Sequence, residues 1–248
     1  MARYDSIGPG YAKYRHEDPE LRRLIHGALG DARTVVNVGA GTGSYEPLDR
    51  HVIAIEPSDA MTVQRSTDHP PAIRATADAL PLRDQSVDAA MAVLTIHHWD
   101  GCQERGVREM RRVARGPIAI VTYDPEISGQ MWLMSDYLSE VAELDRRIFP
   151  PPDRVASWLG GACIKEVPHA ADTPDWNLGA FWAHPERVFD QGARDATSGF
   201  ARQPAPVVER VLHDLRRDLD DGTWDRRHGS LRRLEALDVG LRLIVSEG

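Results

Sequence analysis

Two adjacent histidines follow a predicted buried strand and could take part in acid–base chemistry. The strand covers residues 87–94 and leads into His97 and His98. Imidazole has a pKa close to neutrality, so either ring could accept a proton from a reacting group. Both rings are expected at the carboxyl edge of the sheet, where open α/β folds bind ligands. The structural alternative is that one or both rings only pack against the loop and order it.

Three glycines at alternate positions follow an earlier strand. The β-branched run Thr34–Val38 leads directly into Gly39, Gly41 and Gly43. Such a run is typical of a parallel strand that is buried on both faces. Glycine lets the backbone turn sharply and approach a ligand without a Cβ in the way. The pattern predicts a loop that binds a nucleotide-type cofactor.

Two carboxylates occupy positions that suit an adenosine ligand. Glu56 ends the next predicted strand, where its carboxylate can accept hydrogen bonds from two ribose hydroxyls. Asp78 follows the third predicted strand, in the segment Asp-Ala-Leu-Pro, and could accept a hydrogen bond from the exocyclic amine of adenine. Taken singly, the glycines could be ordinary turns, Glu56 part of a helix entry and Asp78 a solvated loop residue. Together they favour an adenosine cofactor.

Strands and helices alternate through the first half of the chain. The predicted elements are, in order, a helix at 19–29, strands at 34–38 and 51–56, a helix that begins at 58–59, strands at 73–75 and 87–94, a helix at 104–114 and a strand at 117–122. This βαβ rhythm predicts a doubly wound parallel sheet with right-handed crossovers and with helices on both faces.

The rhythm breaks after residue 124, where a helical stretch rich in large apolar side chains predicts an inserted cap at 124–160. The later predicted elements are a strand at 164–167, a helix at 207–219 that lies against the sheet, and a final strand at 240–245, placed antiparallel at or near the sheet edge. We expect a single domain, 1–248, in which 1–30 forms an N-terminal lid segment.

Charge and composition narrow the range of partners. A net charge of -8 and a pI of about 5.7 disfavour binding to nucleic-acid phosphates. The two cysteines are too few for a disulfide framework and lack metal-ligand spacing, which favours a cytoplasmic location and predicts no metal site. No apolar stretch is long enough to span a bilayer, and the N-terminus lacks signal-peptide features. We therefore expect a small-molecule partner, no nucleic acid and no membrane; the oligomeric state stays unknown.

The glycine loop, Glu56 and the segment that begins at Asp78 together resemble the class I S-adenosylmethionine-dependent methyltransferases. In particular they resemble the bacterial subgroup similar to the ubiquinone/menaquinone methyltransferases, methyltransferase type 11. The resemblance runs through motifs from about Thr34 to Thr122. It implies a Rossmann-like, doubly wound α/β sheet of seven strands, mostly parallel with a reversed last strand. S-adenosylmethionine would lie across the carboxyl edge of this sheet.

The resemblance also implies which residues face the cofactor. They are Tyr11, Arg15, Asn37, Gly39, Ala40, Gly41, Glu56, Pro57, Asp78, Ala79, Leu94 and Thr95. Arg15 is a candidate partner for the methionine carboxylate. Asn37 stands where the resemblance leads one to expect Asp or Glu, so that position keeps an acceptor oxygen and loses a charge. We hypothesise that Asn37→Asp preserves cofactor binding.

The leading hypothesis is an enzyme that transfers a methyl group from S-adenosylmethionine to an O, N or C atom of a small molecule, in particular a bacterial specialised metabolite. His97 or His98 would serve as the base. One alternative is an NAD(P)-dependent oxidoreductase, although Ser44 replaces the third glycine of the G-x-G-x-x-G pattern. The other alternative is a protein that binds S-adenosylmethionine without methylating a substrate.

Overall fold

A computed structural model describes residues 14–99 and 101–248 of the protein, which contain a main β-sheet. The strands are β1 (Thr34–Val38), β2 (His51–Ile55), β3 (Ala89–Val93), β4 (Ile118–Tyr123), β5 (Cys163–Glu166), β6 (His169–Ala170), β7 (Ala236–Leu237) and β8 (Leu241–Ser246). The main sheet has the order β2-β1-β3-β4-β8-β5, and β6 pairs with β7 separately. Strands β1 to β4 run parallel, and β8 runs antiparallel to both β4 and β5. The expected Rossmann-like α/β fold is confirmed.

The number of strands differs from the expectation. Six strands form the main sheet in the described part of the chain, whereas seven were expected. The strand predicted at 73–75 is reduced to one parallel bridge between Ile73 and Ile55. Pro70 and Pro71 precede this bridge. Because proline has no N–H to donate, the ladder cannot extend in that direction.

Helices cover both faces of the sheet. The α-helices in the described part of the chain are α1 (Pro19–Ala28), α2 (Asp59–Val63), α3 (Gln103–Val113), α4 (Pro125–Ser128), α5 (Ser139–Ile148), α6 (Pro152–Trp158), α7 (Gln191–Asp195), α8 (Ser198–Ala201), α9 (Ala205–Asp220) and α10 (Thr223–His228). On one face, Leu21 and Ile25 of α1 pack against β1 and β3. On the other, Val107 and Met110 of α3 pack with Val155 of α6. The apolar residues of each helix are three or four positions apart, which places their side chains on one side of the helix.

A second layer, which we call the cap layer, lies over the carboxyl edge and comprises residues 131–149 and 176–228. It has its own core, built around Trp132, Trp182 and Trp224. Val211 and Leu215 of α9 are buried in this core, so the prediction that this helix lies against the sheet is wrong. The periodicity of a helix defines its apolar face but not the surface that this face meets.

The segments predicted as lid and cap are divided between the two layers. Within the predicted lid, residues 1–13 lie outside the described residues, and α1 packs on the sheet. Within the predicted cap, α5 contributes to the core of the cap layer, whereas α6 packs on the sheet. No helix in the described ranges is long and apolar enough to cross a membrane.

Candidate active site

A cavity of about 550 Å³ lies between the carboxyl edge of the sheet and the cap layer. The predicted site residues that line it are Arg15, Asn37, Gly39, Ala40, Gly41, Glu56, Pro57, Asp78, Leu94, Thr95, His97 and His98. Ala79 is not among the lining residues; its N–H closes a turn by donating to the Thr76 oxygen at 3.2 Å. Tyr11 lies outside the described residues. One cavity therefore brings together most of the residues that the sequence singled out.

The glycine loop is held tightly against the end of β2. The N–H groups of Gly39 and Ala40 both donate to the carbonyl oxygen of Ile55, each at 2.9 Å. Gly39 and Gly41 have φ values of +74° and +51°, in the left-handed region that side chains with a Cβ rarely adopt. The backbone of the loop consequently forms part of the cavity wall, where a ligand can approach it closely.

Glu56 links the end of β2 to the glycine loop. One carboxylate oxygen accepts a hydrogen bond from the Gly41 N–H and the other from the Ser58 N–H, each at 2.8 Å. Burial raises the pKa of the Glu56 carboxyl, and the two N–H donors and the positive charge of Arg65 oppose this shift. Each oxygen keeps a second lone pair, which leaves the carboxylate able to accept hydrogen bonds from a pair of hydroxyls.

Asp78 lies at the same end of the cavity and pairs with a cation on α3. Its carboxylate oxygen is 2.5 Å from Nη2 of Arg105. The Thr76 hydroxyl lowers the pKa of the Asp78 carboxyl, and Arg105 lowers it further. The group is therefore an ionised acceptor near neutral pH, which suits an amine or hydroxyl donor.

A buried polar cluster lies at the floor of the cavity. Asn37 donates from Nδ2 to Oε1 of Glu46 at 2.9 Å, and Nη2 of Arg65 contacts Oε2 of Glu46 at 2.7 Å. Nδ1 of His69 is 3.1 Å from the same Oε2 atom. Glu46 is fully buried. Sequence reasoning missed Glu46 and Arg65, because a carboxylate in a turn ordinarily indicates a solvated residue.

Arg15 lines the cavity as predicted, but its guanidinium has partners within the protein. Nε of Arg15 is 2.5 Å from Oδ1 of Asp175, and Nη1 donates to the carbonyl oxygen of Ala196 at 3.4 Å. The backbone oxygen of Tyr14 also accepts a hydrogen bond from the Trp176 N–H at 2.9 Å. These contacts tie the N-terminal segment to the loop that enters the cap layer, a role that the sequence did not indicate.

The two histidines lie in a short helical turn, Ile96–His98, that lines the cavity. Leu94, with φ +51°, precedes this turn and redirects the chain at the end of β3. The ring of His97 is buried and stacks on Phe149, with 4.0 Å between ring centroids. Nδ1 of His98 is 3.3 Å from Nη2 of Arg202. Both imidazoles therefore meet the cap layer directly.

A third titratable group, Asp145, lines the cavity near the histidines. It lies four residues after Val141 on one face of α5, and Phe149, which directly follows this helix, also lines the cavity. Burial raises the pKa of the Asp145 carboxyl to about 7, and the positive charge of Arg202 opposes the shift. Sequence reasoning missed Asp145, because a single Asp among the charged residues of a helix normally indicates an exposed face.

A series of hydrogen bonds links further polar side chains at the cavity wall. The hydroxyl of Tyr123 donates to Oδ1 of Asn177 at 2.9 Å and lies 2.9 Å from Nε2 of His169. Nδ2 of Asn177 in turn donates to Oδ2 of Asp175 at 3.2 Å. Burial raises the pKa of Tyr123 and lowers the pKa of His169. These hydrogen-bonded side chains are therefore uncharged, and the series ends at the ion pair between Asp175 and Arg15.

Comparisons with known proteins agree with this geometry. Residues 36–117 match a family described as a methyltransferase domain. A solved structure from Anabaena variabilis, described as a proposed methyltransferase from an antibiotic biosynthesis pathway, is 30% identical; the match covers 94% of this chain and 98% of that one, with a TM-score of 0.86. The YcgJ protein of Bacillus subtilis, 17% identical over 90% of this chain and 98% of its own, has a TM-score of 0.51 and supports the fold alone. No curated protein matches the chain.

The fold and the cavity define a Rossmann-like methyltransferase. The similarity to the Anabaena protein extends over nearly the whole of both chains. The chain belongs to the class I S-adenosylmethionine-dependent methyltransferases. Its cofactor is S-adenosylmethionine.

Proposed function

We propose that this protein transfers a methyl group from S-adenosylmethionine to an O, N or C atom of a small molecule, in particular a bacterial specialised metabolite. The observation that carries the proposal is that the glycine loop and Glu56 line the same cavity as His97, His98 and Asp145. The cap layer encloses this cavity, which suits a small acceptor better than a macromolecule. The pathway named for the Anabaena protein supports the metabolite class.

At the cofactor end, the donors of the ligand can be matched to acceptors of the protein. Glu56 would accept from the ribose hydroxyls and Asp78 from the adenine amine, and Asn37 would also face the cofactor. The other cofactor contacts that we propose are Tyr11, Arg15, Gly39, Ala40, Gly41, Pro57, Ala79, Leu94 and Thr95. When bound, S-adenosylmethionine supplies a methyl group on a positively charged sulfur.

At the acceptor end, the protein would mainly position its substrate and exclude water. Methyl transfer to a nucleophile is an in-line displacement that disperses charge, so alignment and desolvation contribute most of the rate. A protonated nucleophile also requires a base, and His97 or His98 is suited to that role. Methylation at near wild-type rate by both single His→Ala variants would exclude both rings.

Asp145 is a further candidate proton acceptor, and its raised pKa can be tested without a known substrate. Asp145→Asn is expected to stabilise the protein above pH 7 and to have no such effect near pH 4. The free carboxyl titrates at about 3.8 and the folded one at about 7. Between these values the unfolded chain releases a proton that the folded protein retains, so wild-type stability falls as pH rises. The gain is at most about 4 kcal/mol at pH 8, because one pKa unit corresponds to about 1.36 kcal/mol.

Thermal unfolding of wild type and Asp145→Asn at pH 4 and pH 8 measures this difference. Glu143→Gln is the matched control, because Glu143 is an exposed carboxylate on the same helix. The control should shift the melting temperature equally little at both pH values. An equal shift for Asp145→Asn at both values would show that this carboxyl titrates normally.

The domain organisation, the cellular location with the class of partner, and the subgroup of the protein remain proposals. The chain forms one domain, 1–248. The lid segment expected at 1–30 is restricted to the residues before α1, and the cap expected at 124–160 is replaced by the cap layer, because α1 and α6 pack on the sheet. It acts in the cytoplasm, as its two cysteines without a disulfide framework favour, and on neither nucleic acid nor membranes; its net charge of -8 disfavours nucleic-acid phosphates. It belongs to the bacterial subgroup similar to the ubiquinone/menaquinone methyltransferases. Methylation of a nucleic acid or lipid in preference to small molecules would contradict the proposed class of partner.

A ligand panel tests the proposed function. S-adenosylhomocysteine at 100 times its dissociation constant is expected to stabilise the folded protein by about 2.7 kcal/mol, whereas NAD and NADP should have no effect. Stabilisation by NAD alone would favour the oxidoreductase alternative. Transfer of a labelled methyl group into a panel of small metabolites then separates a methyltransferase from a protein that only binds the cofactor.

A further inference from the structure

The buried cluster below the glycine loop fixes the orientation of the Asn37 amide. Both oxygens of the Glu46 carboxylate accept hydrogen bonds, one from Arg65 and the other from Asn37, so the amino group of Asn37 faces Glu46, with Nδ2 at 2.9 Å. The reverse orientation would set the amide oxygen against a carboxylate oxygen. Oδ1 of Asn37 is thereby directed away from Glu46.

This oxygen is a buried hydrogen-bond acceptor. Asn37 is only 2% exposed, and its Oδ1 atom has no hydrogen-bond partner among the described residues. Leaving a buried acceptor unpaired carries a free-energy cost. Because Asn37 also lines the cavity, a ligand that brings a hydrogen-bond donor to this position would remove that cost.

Arg65 balances the charge of Glu46 and braces the loop. Besides its contact with Glu46, Nη1 of Arg65 donates to the carbonyl oxygens of Gly41 at 3.1 Å and Ala40 at 3.4 Å. The side chain of Arg65 is 4% exposed and that of Glu46 is fully buried. The pair therefore couples the orientation of Asn37 to the backbone of the loop. Oδ1 of Asn37 is therefore a neutral acceptor with a fixed orientation. A carboxylate at position 37 would instead be repelled by Glu46.

The hydrogen-bond donors of the cofactor indicate which of its groups would face Oδ1 of Asn37. S-adenosylmethionine carries strong donors on its ribose, its adenine amine and its α-ammonium group. The proposed function assigns the first two to Glu56 and Asp78, which leaves the ammonium for the unpaired oxygen. We propose that Glu46 is a positioning residue that holds the Asn37 amide so that its oxygen receives the α-ammonium group of the cofactor. This inference rests on the proposed function.

The proposal reverses the hypothesis that Asn37→Asp preserves binding. That substitution would set two carboxylates at hydrogen-bond distance in a buried cluster, so we expect the dissociation constant of S-adenosylhomocysteine to rise at least tenfold. Glu46→Gln should also weaken binding, because the oxygen of the new amide accepts from Arg65 and its amino group then faces Asn37. The Asn37 amide would have to turn, which directs Nδ2 instead of Oδ1 away from position 46. The double variant Asn37→Asp/Glu46→Gln exchanges the carboxylate and the amide. It should recover affinity to within about threefold of wild type, because the new amide can donate to position 37 while its oxygen accepts from Arg65.

Titration calorimetry with two probes tests this coupling. The first probe is S-adenosylhomocysteine and the second is methylthioadenosine, which lacks the ammonium group; its affinity should change less than threefold in every variant. Glu104→Gln is the matched control, because Glu104 is also paired with an arginine but lies on the exposed surface. Melting temperatures of the ligand-free variants verify that each is folded.

Two results would overturn the proposal. One is a double variant whose loss of affinity equals the product of the two single losses. The other is an equal loss for both probes, which would indicate that the cluster only maintains the loop. If the folded wild-type protein binds neither probe, the proposed function fails instead, and the two failures are thus distinguishable.

Discussion

Gly39→Ala is expected to lower the free energy of unfolding by about 2–5 kcal/mol and to abolish measurable binding of S-adenosylhomocysteine. Two independent effects add at this position. The φ value of +74° is strained for any residue with a Cβ. In addition, an added Cβ would lie 2.1 Å from Oγ1 and 2.8 Å from Cβ of Thr95, far inside van der Waals contact. Relief of this clash would displace the loop or the start of the histidine turn, and both line the cavity.

Thermal unfolding and calorimetric titration of Gly39→Ala measure the two losses. Gly27→Ala is the matched control, because Gly27 lies in α1 with nothing within 4 Å of an added Cβ. The control should be neutral or stabilise the protein by up to about 1 kcal/mol, since alanine is the better helix former. Normal ligand affinity in a folded Gly39→Ala protein would show that the loop does not depend on this close approach.

Glu56→Ala is expected to reduce the affinity for S-adenosylhomocysteine by about 1–3 kcal/mol, or roughly 5- to 150-fold. The variant removes the charged acceptor for the ribose and also leaves the N–H groups of Gly41 and Ser58 without their shared partner. Glu56→Gln should lose less affinity, because the amide keeps one acceptor oxygen. It should also be less sensitive to pH, because the carboxyl whose pKa is raised by burial is absent.

The control for Glu56 is Asp59→Ala, since Asp59 is a neighbouring carboxylate that is largely exposed and does not line the cavity. It removes a negative charge close to the site without removing a ligand contact. Equal affinities for wild type and Glu56→Ala would show that the carboxylate serves the loop alone.

Local patterns were sufficient to predict the sheet and the cofactor end of the site. Strand β1 was predicted with its observed bounds, because a β-branched run between turn residues is recognisable without tertiary information. Gly39 and Glu56 were identified because the ends of adjacent parallel strands must meet at one edge of a sheet. The Rossmann-like fold and its cofactor follow from these few positions.

Tertiary structure decided the contacts between residues that are far apart in the chain. The apolar stripe of α9 was visible in the sequence, but its burial in the cap layer depends on which surface closes over it. The pairing of Arg15 with Asp175 likewise depends on how the cap folds back onto the N-terminal segment.

By itself, the sequence determined the class of fold, because the strands and the glycine loop depend on residues close together in the chain. Its resemblance to a known family gave the cofactor, and Glu56 and Asp78 stay predicted contacts of the adenosine portion. Only the tertiary structure decided which way the Asn37 amide faces and how strongly Asp145 holds its proton. Both properties arise from burial and from partners such as Glu46 and Arg202, and no local pattern encodes the dielectric environment of a side chain or the charges brought beside it.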